Sequence, residues 1–197
     1  MPRGASGLSM AAGLVLIGIG PGGIGGMTRD AISAAKDADF RRYEAYTALW
    51  SQDDLESLEG EIGEIRKVMR PEVEEPVELL ALAKTHSVAL LVVGDPLQAT
   101  THVDLQLQAL EAGVQCTVIH GVAITGLVTG AVGLSNYRFG RQTTLTYPYG
   151  GWIATSPLEV IAVNRIQGLH TLALLDLDPT GEGVGGQKPM QPKDAAG

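Results

Sequence analysis

The residues best placed to do chemistry lie in one step, Gly94-Asp95-Pro96-Leu97-Gln98-Ala99-Thr100-Thr101-His102. An acid set between a glycine and a proline, just after an apolar run, stands at the carboxyl edge of a sheet, where open α/β folds bind ligands. Proline fixes the chain direction immediately beyond it. The Asp95 carboxylate can hold a ligand hydroxyl or ammonium by a charge-assisted hydrogen bond. The plainer alternative is that it closes a turn. Thr100 and Thr101 are expected to cap the next helix. His102 then falls in the first helical turn, where the dipole disfavours an imidazolium, so a neutral ring able to accept a proton is expected. A hydrogen-bonded structural histidine is the plainer reading of the same position.

Glu44-Ala45-Tyr46-Thr47 is a second polar box, following the second predicted strand and so also at the sheet's carboxyl edge, with Tyr46 readable either as a functional hydroxyl or as a core ring. Gly18-Ile19-Gly20-Pro21-Gly22-Gly23 matches G-x-G-x-x-G after a strand, the turn that lets a backbone approach a pyrophosphate. Here the next helix begins only near Thr28, too late for the last glycine to open it. His120 ends a strand at a junction, where a hinge or a ligand wall is the expected role. His86 reads as exposed and His170 begins a strand. Four scattered histidines make no metal site. Neither a G-x-S-x-G elbow nor a P-loop lysine is present.

These residues sit in a chain of 197, enough for one ordinary domain or two small ones. Hydrophobic residues make up 45%, which supports a core and excludes wholesale disorder. Lys+Arg 14 against Asp+Glu 22 gives a net charge of −8 without a long basic run, which argues against direct nucleic-acid binding. A single cysteine, Cys116, excludes an internal disulfide and a cysteine-based zinc cluster and fits a reducing cytoplasm. No apolar stretch reaches the roughly 18–20 residues of a membrane helix. The first 12 residues carry one Arg and no apolar h-region, unlike a signal peptide.

Strands are predicted at 14–20, 40–46, about 65–68, 88–93 and 116–119, with intervening helices. Thr28 caps a helix to about Asp37. A short helix follows residue 51. Glu72 to Thr85 reads as one amphipathic helix with Val77, Leu80, Leu82 and Ala83 inward. The helix after Thr101 carries Val103, Leu107 and Leu110 and ends at Gly113. Beyond His120 the pattern predicts a helix over 124–134 and a strand over 142–147. A helix over 156–167 follows, with Leu158, Ile161 and Ile166 in phase, and then a buried strand over 170–177. From Pro179 onward, five Gly and three Pro in 19 residues predict a tail that buries no core. The reading is α/β in two domains: an N-terminal extension 1–13, a complete first domain 14–120, an incomplete second domain 121–178 and a Gly/Pro-rich tail 179–197. The start is open between Met1 and Met10.

Several of these segments together resemble the diphthine synthase family of the tetrapyrrole-methylase superfamily. They are Leu14–Gly20, Glu44-Ala45-Tyr46-Thr47, Gly94-Asp95-Pro96 with Ala99-Thr100-Thr101-His102, and Val118-Ile119-His120. Asn136-Tyr137-Arg138-Phe139-Gly140 and Gly168-Leu169-His170-Thr171-Leu172 through Asp176 complete the set. The Gly-Asp-Pro step is general to the superfamily, and the others point to this branch. The resemblance implies a two-domain tetrapyrrole-methylase-like fold and an S-adenosyl-L-methionine-dependent methyltransferase without a metal. Its substrate would be the amino group of the 3-amino-3-carboxypropyl-histidine of translation elongation factor 2, in diphthamide biosynthesis. It also implies a cytoplasmic homodimer and a donor site lined by Pro21, Asp95, Gln98, Ala123, Ile124 and Leu175. The register is open between Ala123-Ile124 and Ile124-Thr125. The family has a larger apolar residue at position 21 and continues well past this chain's last residue, so a truncated chain is expected. His102, Glu44 and Tyr46 are candidate bases, none of them selected by the sequence. A corrin-ring methylase, a nicotinamide-dependent oxidoreductase and a non-catalytic remnant are the alternative readings.

Overall fold

A computed structural model describes residues 11–148, 151–177 and 187–195. Residues 1–10 of the expected 1–13 extension, residue 178 and residues 179–186 and 196–197 of the expected tail lie outside these. The chain divides into two compact units, Met1–Ala123 and Ile124–Gly197.

In the first unit, β1 (Gly13–Gly18), β2 (Phe40–Glu44), β3 (Arg66–Val68), β4 (Ser87–Val92) and β5 (Cys116–Ile119) form one sheet in the order β3-β2-β4-β1-β5. Every pairing is parallel. β1 and β4 are buried along their whole length, which is why they read as unbroken apolar runs. Side chains alternate between two cores, as the period of a strand requires. Val15, Ile17, Ala89 and Leu91 face one core, shared with α1 (Arg29–Asp37) and α2 (Gln52–Ile62). Leu14, Leu16, Val88, Leu90 and Val92 face the other, shared with α4 (Val77–Ala83) and α5 (His102–Glu111). The short α3 (Arg70–Glu74) adds Val73 to that second core. Each fully buried Leu or Val contributes about 1.5–3 kcal/mol. Thr28 caps α1 through its side chain, which accepts from the Ala31 N–H, and Ala31, Ala34 and Ala35 form its inner face.

Two helices depart from their sequence patterns. Residues 72–85 do not form one helix; α3 and α4 are separate because Pro76 disfavours helical backbone at Glu75, whose φ is −113° and ψ 69°. Val77 is consequently 78% exposed, and Leu79, Leu80 and Ala83 are the buried residues. In α5 the inner face is His102, Leu105 and Ala109, while Val103, Leu107 and Leu110 are exposed. The buried imidazole fixes that rotation: Nδ1 of His102 donates to the Pro96 carbonyl at 3.1 Å.

The second unit contains α6 (Ile124–Ala131), β6 (Thr143–Leu145), α7 (Ser156–Ile166), β7 (Ala173–Leu175) and α8 (Pro192–Ala195). β6 and β7 pair in parallel. Both strands are shorter than their apolar patterns, and β7 is only half-buried. On α7, Leu158 and Ile166 point to solvent and the buried positions are Pro157 and Asn164. Asn164 fastens the helix to the loops before β6 and β7. Its Nδ2 donates to the Arg141 carbonyl and to Thr171 Oγ1, both at 2.8 Å, and its Oδ1 accepts from the Arg141 N–H at 3.1 Å. The described part of the tail does bury side-chain area. Met190 is buried, its N–H donates to the Asp176 carbonyl at 2.9 Å, and Pro189 bridges Leu177.

Candidate functional site

Three backbones cross at the carboxyl ends of β1, β4 and β5. A Cβ on Gly121 would lie 2.2 Å from the Gly94 carbonyl oxygen and 2.8 Å from the Gly18 Cα, and one on Gly18 would lie 2.4 Å from the Gly121 nitrogen. Only glycine admits that approach. Gly20 and Gly94 also exchange hydrogen bonds, N–H to carbonyl, at 3.1 and 2.8 Å. Trp50 closes the outside of this turn, its indole N–H donating to the Gly20 carbonyl at 3.0 Å. The glycine-rich turn continues into a 3-10 turn, Ile24–Gly26, and the helix opens only at Arg29. The last glycine of the G-x-G-x-x-G match therefore does not open a helix, and the pyrophosphate geometry of a dinucleotide fold is not formed there.

Asp95 stands beside this crossing with its side chain 7% exposed. Its Oδ1 accepts from the Leu97 N–H at 2.8 Å. Its Oδ2 accepts from His120 Nδ1 at 2.8 Å and from the Gly121 N–H at 3.2 Å. A carboxylate offers about four acceptor positions, so one remains, on Oδ1. Asp95 thus fills the turn-closing role through its partners in the chain. The threonines do not do the capping: Thr101 makes no side-chain cap, and Thr100 Oγ1 donates to the Pro96 carbonyl. It is Asp95 that organises the turn.

The three sequence candidates for a base are buried. His102 is 1% exposed, and burial holds its ring below the ordinary histidine range. With Nδ1 donating to Pro96, Nε2 is left buried with no partner among the described residues. Glu44 is fully buried at the end of β2; burial pushes its carboxyl up to about 7 against the opposing hydrogen bonds from Thr47. Thr47 donates to it from both its N–H and its hydroxyl. The Tyr46 hydroxyl is buried without a partner among the described residues, and Arg70 lies over its ring at 4.9 Å. Burial raises that phenol well above its usual value.

Of the residues expected around a donor, Asp95, Gln98 and Ala123 gather at this edge. The Gln98 N–H donates to the Asp95 carbonyl at 3.1 Å, and a Cβ on Gly94 would touch the Ala123 Cα at 3.8 Å. Pro21 is exposed at the start of the glycine-rich turn, next to Gly26. Ile124 and Leu175 belong to the second unit, at the first residue of α6 and the last of β7. His120 is the partner of Asp95 that sequence reasoning missed: it was legible as a hinge or wall residue, not as the residue bonded to Asp95. A separate groove of about 760 Å³, lined by residues including Arg42, Arg66, Glu72 and Leu79, shares none of these residues. Among the described residues, no group of three or more His, Cys, Asp or Glu is arranged to hold a metal ion.

A family model described as Tetrapyrrole (Corrin/Porphyrin) Methylases matches residues 13–180. The sequence is 37% identical over 166 residues to the diphthine synthase of Methanoregula boonei, covering 83% of this chain and 66% of that protein. It is 34% identical over 166 residues to the diphthine synthase of Methanospirillum hungatei, with the same coverage of both. Among solved structures, a crystal structure of diphthine synthase superposes with a TM-score of 0.75 at 35% identity, covering 84% of this chain and 65% of that one. A conserved hypothetical protein from Aeropyrum pernix superposes with a TM-score of 0.81 at 35% identity, covering 94% of this chain and 63% of that one. The chain thus spans just under two thirds of the length of these relatives.

Proposed function

This chain belongs to the tetrapyrrole (corrin/porphyrin) methylases, and on that premise we propose that it is an S-adenosyl-L-methionine-dependent N-methyltransferase of the diphthine synthase type. Its substrate is the amino group of the 3-amino-3-carboxypropyl-histidine of translation elongation factor 2, in diphthamide biosynthesis, and its setting is the cytoplasm. The active form is a homodimer that uses no metal. The observation that carries the reading is the glycine crossing clasped by Asp95, in a chain that is 34–37% identical to named diphthine synthases.

The donor supplies a sulfonium-bound methyl group whose leaving group is a neutral thioether. The chain supplies position and protection from water. Support for such a ligand comes from the position of the crossing at the carboxyl edge of the sheet and from the fourth acceptor position of Asp95, on Oδ1, beyond the three bonds it accepts from the chain. That acceptor holds a donor hydroxyl or ammonium. On the first unit, Pro21, Gln98 and Ala123 are the residues proposed to contact the donor; the family resemblance adds Ile124 and Leu175, with Thr125 replacing Ala123 if the register slides by one.

Calorimetry with S-adenosyl-L-methionine and with NAD tests the first step: donor binding without NAD binding is expected. Incubation with elongation factor 2 bearing the aminocarboxypropyl-histidine should then add methyl groups, read by mass spectrometry. Methylation of a corrin instead would move the chain to another branch of the family. Binding of neither ligand would leave a non-catalytic remnant.

A further inference from the structure

The Asp95–His120 pair has the form of a charged residue holding a base. A carboxylate only accepts, so the 2.8 Å contact to Oδ2 requires that His120 donate from Nδ1. In the neutral ring Nε2 is then the unprotonated nitrogen. Nε2 makes no hydrogen bond among the described residues, and the side chain is 69% exposed. Asp95 is itself fixed by the N–H groups of Leu97 and Gly121, so the imidazole is held in orientation as well as in tautomer. This is the division of labour by which a buried carboxylate serves a catalytic histidine. The three other candidates lack it. His102 and Glu44 are buried, and the Tyr46 hydroxyl is buried too.

We propose that His120 is the proton acceptor of the methyl transfer, with Asp95 as its positioning residue. This rests on the reading of the chain as an amine methyltransferase. An alkylammonium cannot attack, because its nitrogen has no free pair. Nε2 takes one proton from it: the N–H bond breaks, its electron pair stays on the amine nitrogen, and a new Nε2–H bond forms. The freed pair then forms the N–CH₃ bond as the sulfonium C–S bond breaks, its electrons going to sulfur. The product is a methylated ammonium, a neutral thioether and a protonated His120, which the exposed ring returns to water. The Asp95 carboxylate holds that imidazolium. Among the described residues it is the titratable group in contact with the ring.

The test uses the full 197-residue chain. Long-range ¹H–¹⁵N spectra of the ligand-free protein should place the neutral-ring proton of His120 on Nδ1. In Asp95→Asn the amide donates to Nδ1 and the proton should move to Nε2. A wild-type proton on Nε2 overturns the proposal. In methyl-transfer assays His120→Gln should lose about 10²–10⁴-fold in kcat, with donor affinity within twofold. The loss should shrink as pH rises past the amine's own pKa, and added imidazole should restore rate to His120→Ala. If wild type methylates its amine and His120→Gln does so as fast, the base role fails and the methyltransferase reading stands. If wild type binds the donor and methylates no amine, both fail, and the tautomer spectra then describe a structural pair.

Discussion

Replacing Asp95 by Ala removes the acceptor for three chain donors: the Leu97 and Gly121 N–H groups and His120 Nδ1. The first two are backbone groups at a part-buried site and lose their partner outright, at about 1–3 kcal/mol each. His120 is largely exposed and re-solvates, so its bond adds little. The sum is about 2–6 kcal/mol against the first unit. At roughly 3–6 °C per kcal/mol for a unit of this size, Tm should fall by at least about 6 °C. Donor affinity should fall with it, by roughly tenfold to a hundredfold for one charge-assisted hydrogen bond. Asp95→Asn keeps an acceptor for Leu97 and should fall between wild type and Asp95→Ala in Tm. Thermal unfolding and calorimetric titration at 15 °C, where both variants are folded, separate the two effects. A Tm within 1 °C of wild type would refute the clasp. A lowered Tm with unchanged donor affinity would leave Asp95 a turn residue without a ligand.

Three further outcomes are expected. Glu44 has a folded pKa of about 7 against an ordinary 4.5, so ionising it opposes folding. Stability should fall by about 3 kcal/mol as pH rises from roughly 4.5 to 7, and Glu44→Gln should abolish that slope in urea midpoints measured at pH 5 and pH 8. Gly121→Ala places a Cβ 2.2 Å from the Gly94 carbonyl oxygen and should cost about 3 kcal/mol or more by urea denaturation, while Gly22→Ala, with nothing within 4 Å, should be nearly neutral. Asn164→Ala leaves the Arg141 N–H and carbonyl without their partner and should destabilise the second unit by about 2–4 kcal/mol, read as loss of amide protection at Thr143–Leu145.

The first unit was legible because buried parallel strands read as apolar runs and their helices carry caps and stops. Val88–Val93 and Cys116–Ile119 needed only that pattern, and Thr28 caps the helix it was expected to cap. Pro76 accounts for the split of residues 72–85, and the misread faces of α5 and α7 share another cause, that polar anchors outrank apolar periodicity in deciding which helix face turns inward. His102 rotates α5 through its bond to Pro96, and Asn164 sets α7 through three bonds. Val103, Leu107, Leu158 and Ile166 are left outside. The tail misled for a related reason, since a Gly- and Pro-rich composition does not prevent a single Met190 from finding cover.

The site was half-legible, and the missing half follows from sheet order. Asp95 declares itself by its neighbours in sequence; His120, 25 residues later, declares itself only once β4 and β5 are known to flank β1. Strands that flank a third lie about 10 Å apart, too far for a carboxylate and an imidazole to meet if the middle strand ended in a side chain. β1 ends at Gly18, and Gly94 and Gly121 close over it to within what would be Cβ contact. Gly18, the first glycine of the dinucleotide-like run, is therefore explained by a different requirement. With Gly94 and Gly121 it lets the ends of two non-adjacent strands come together so that Asp95 can hold Gly121 and His120 at once. A side chain at Gly18 or Gly121 would separate those ends, and the pairing of acid and base would be lost even with both residues still in place.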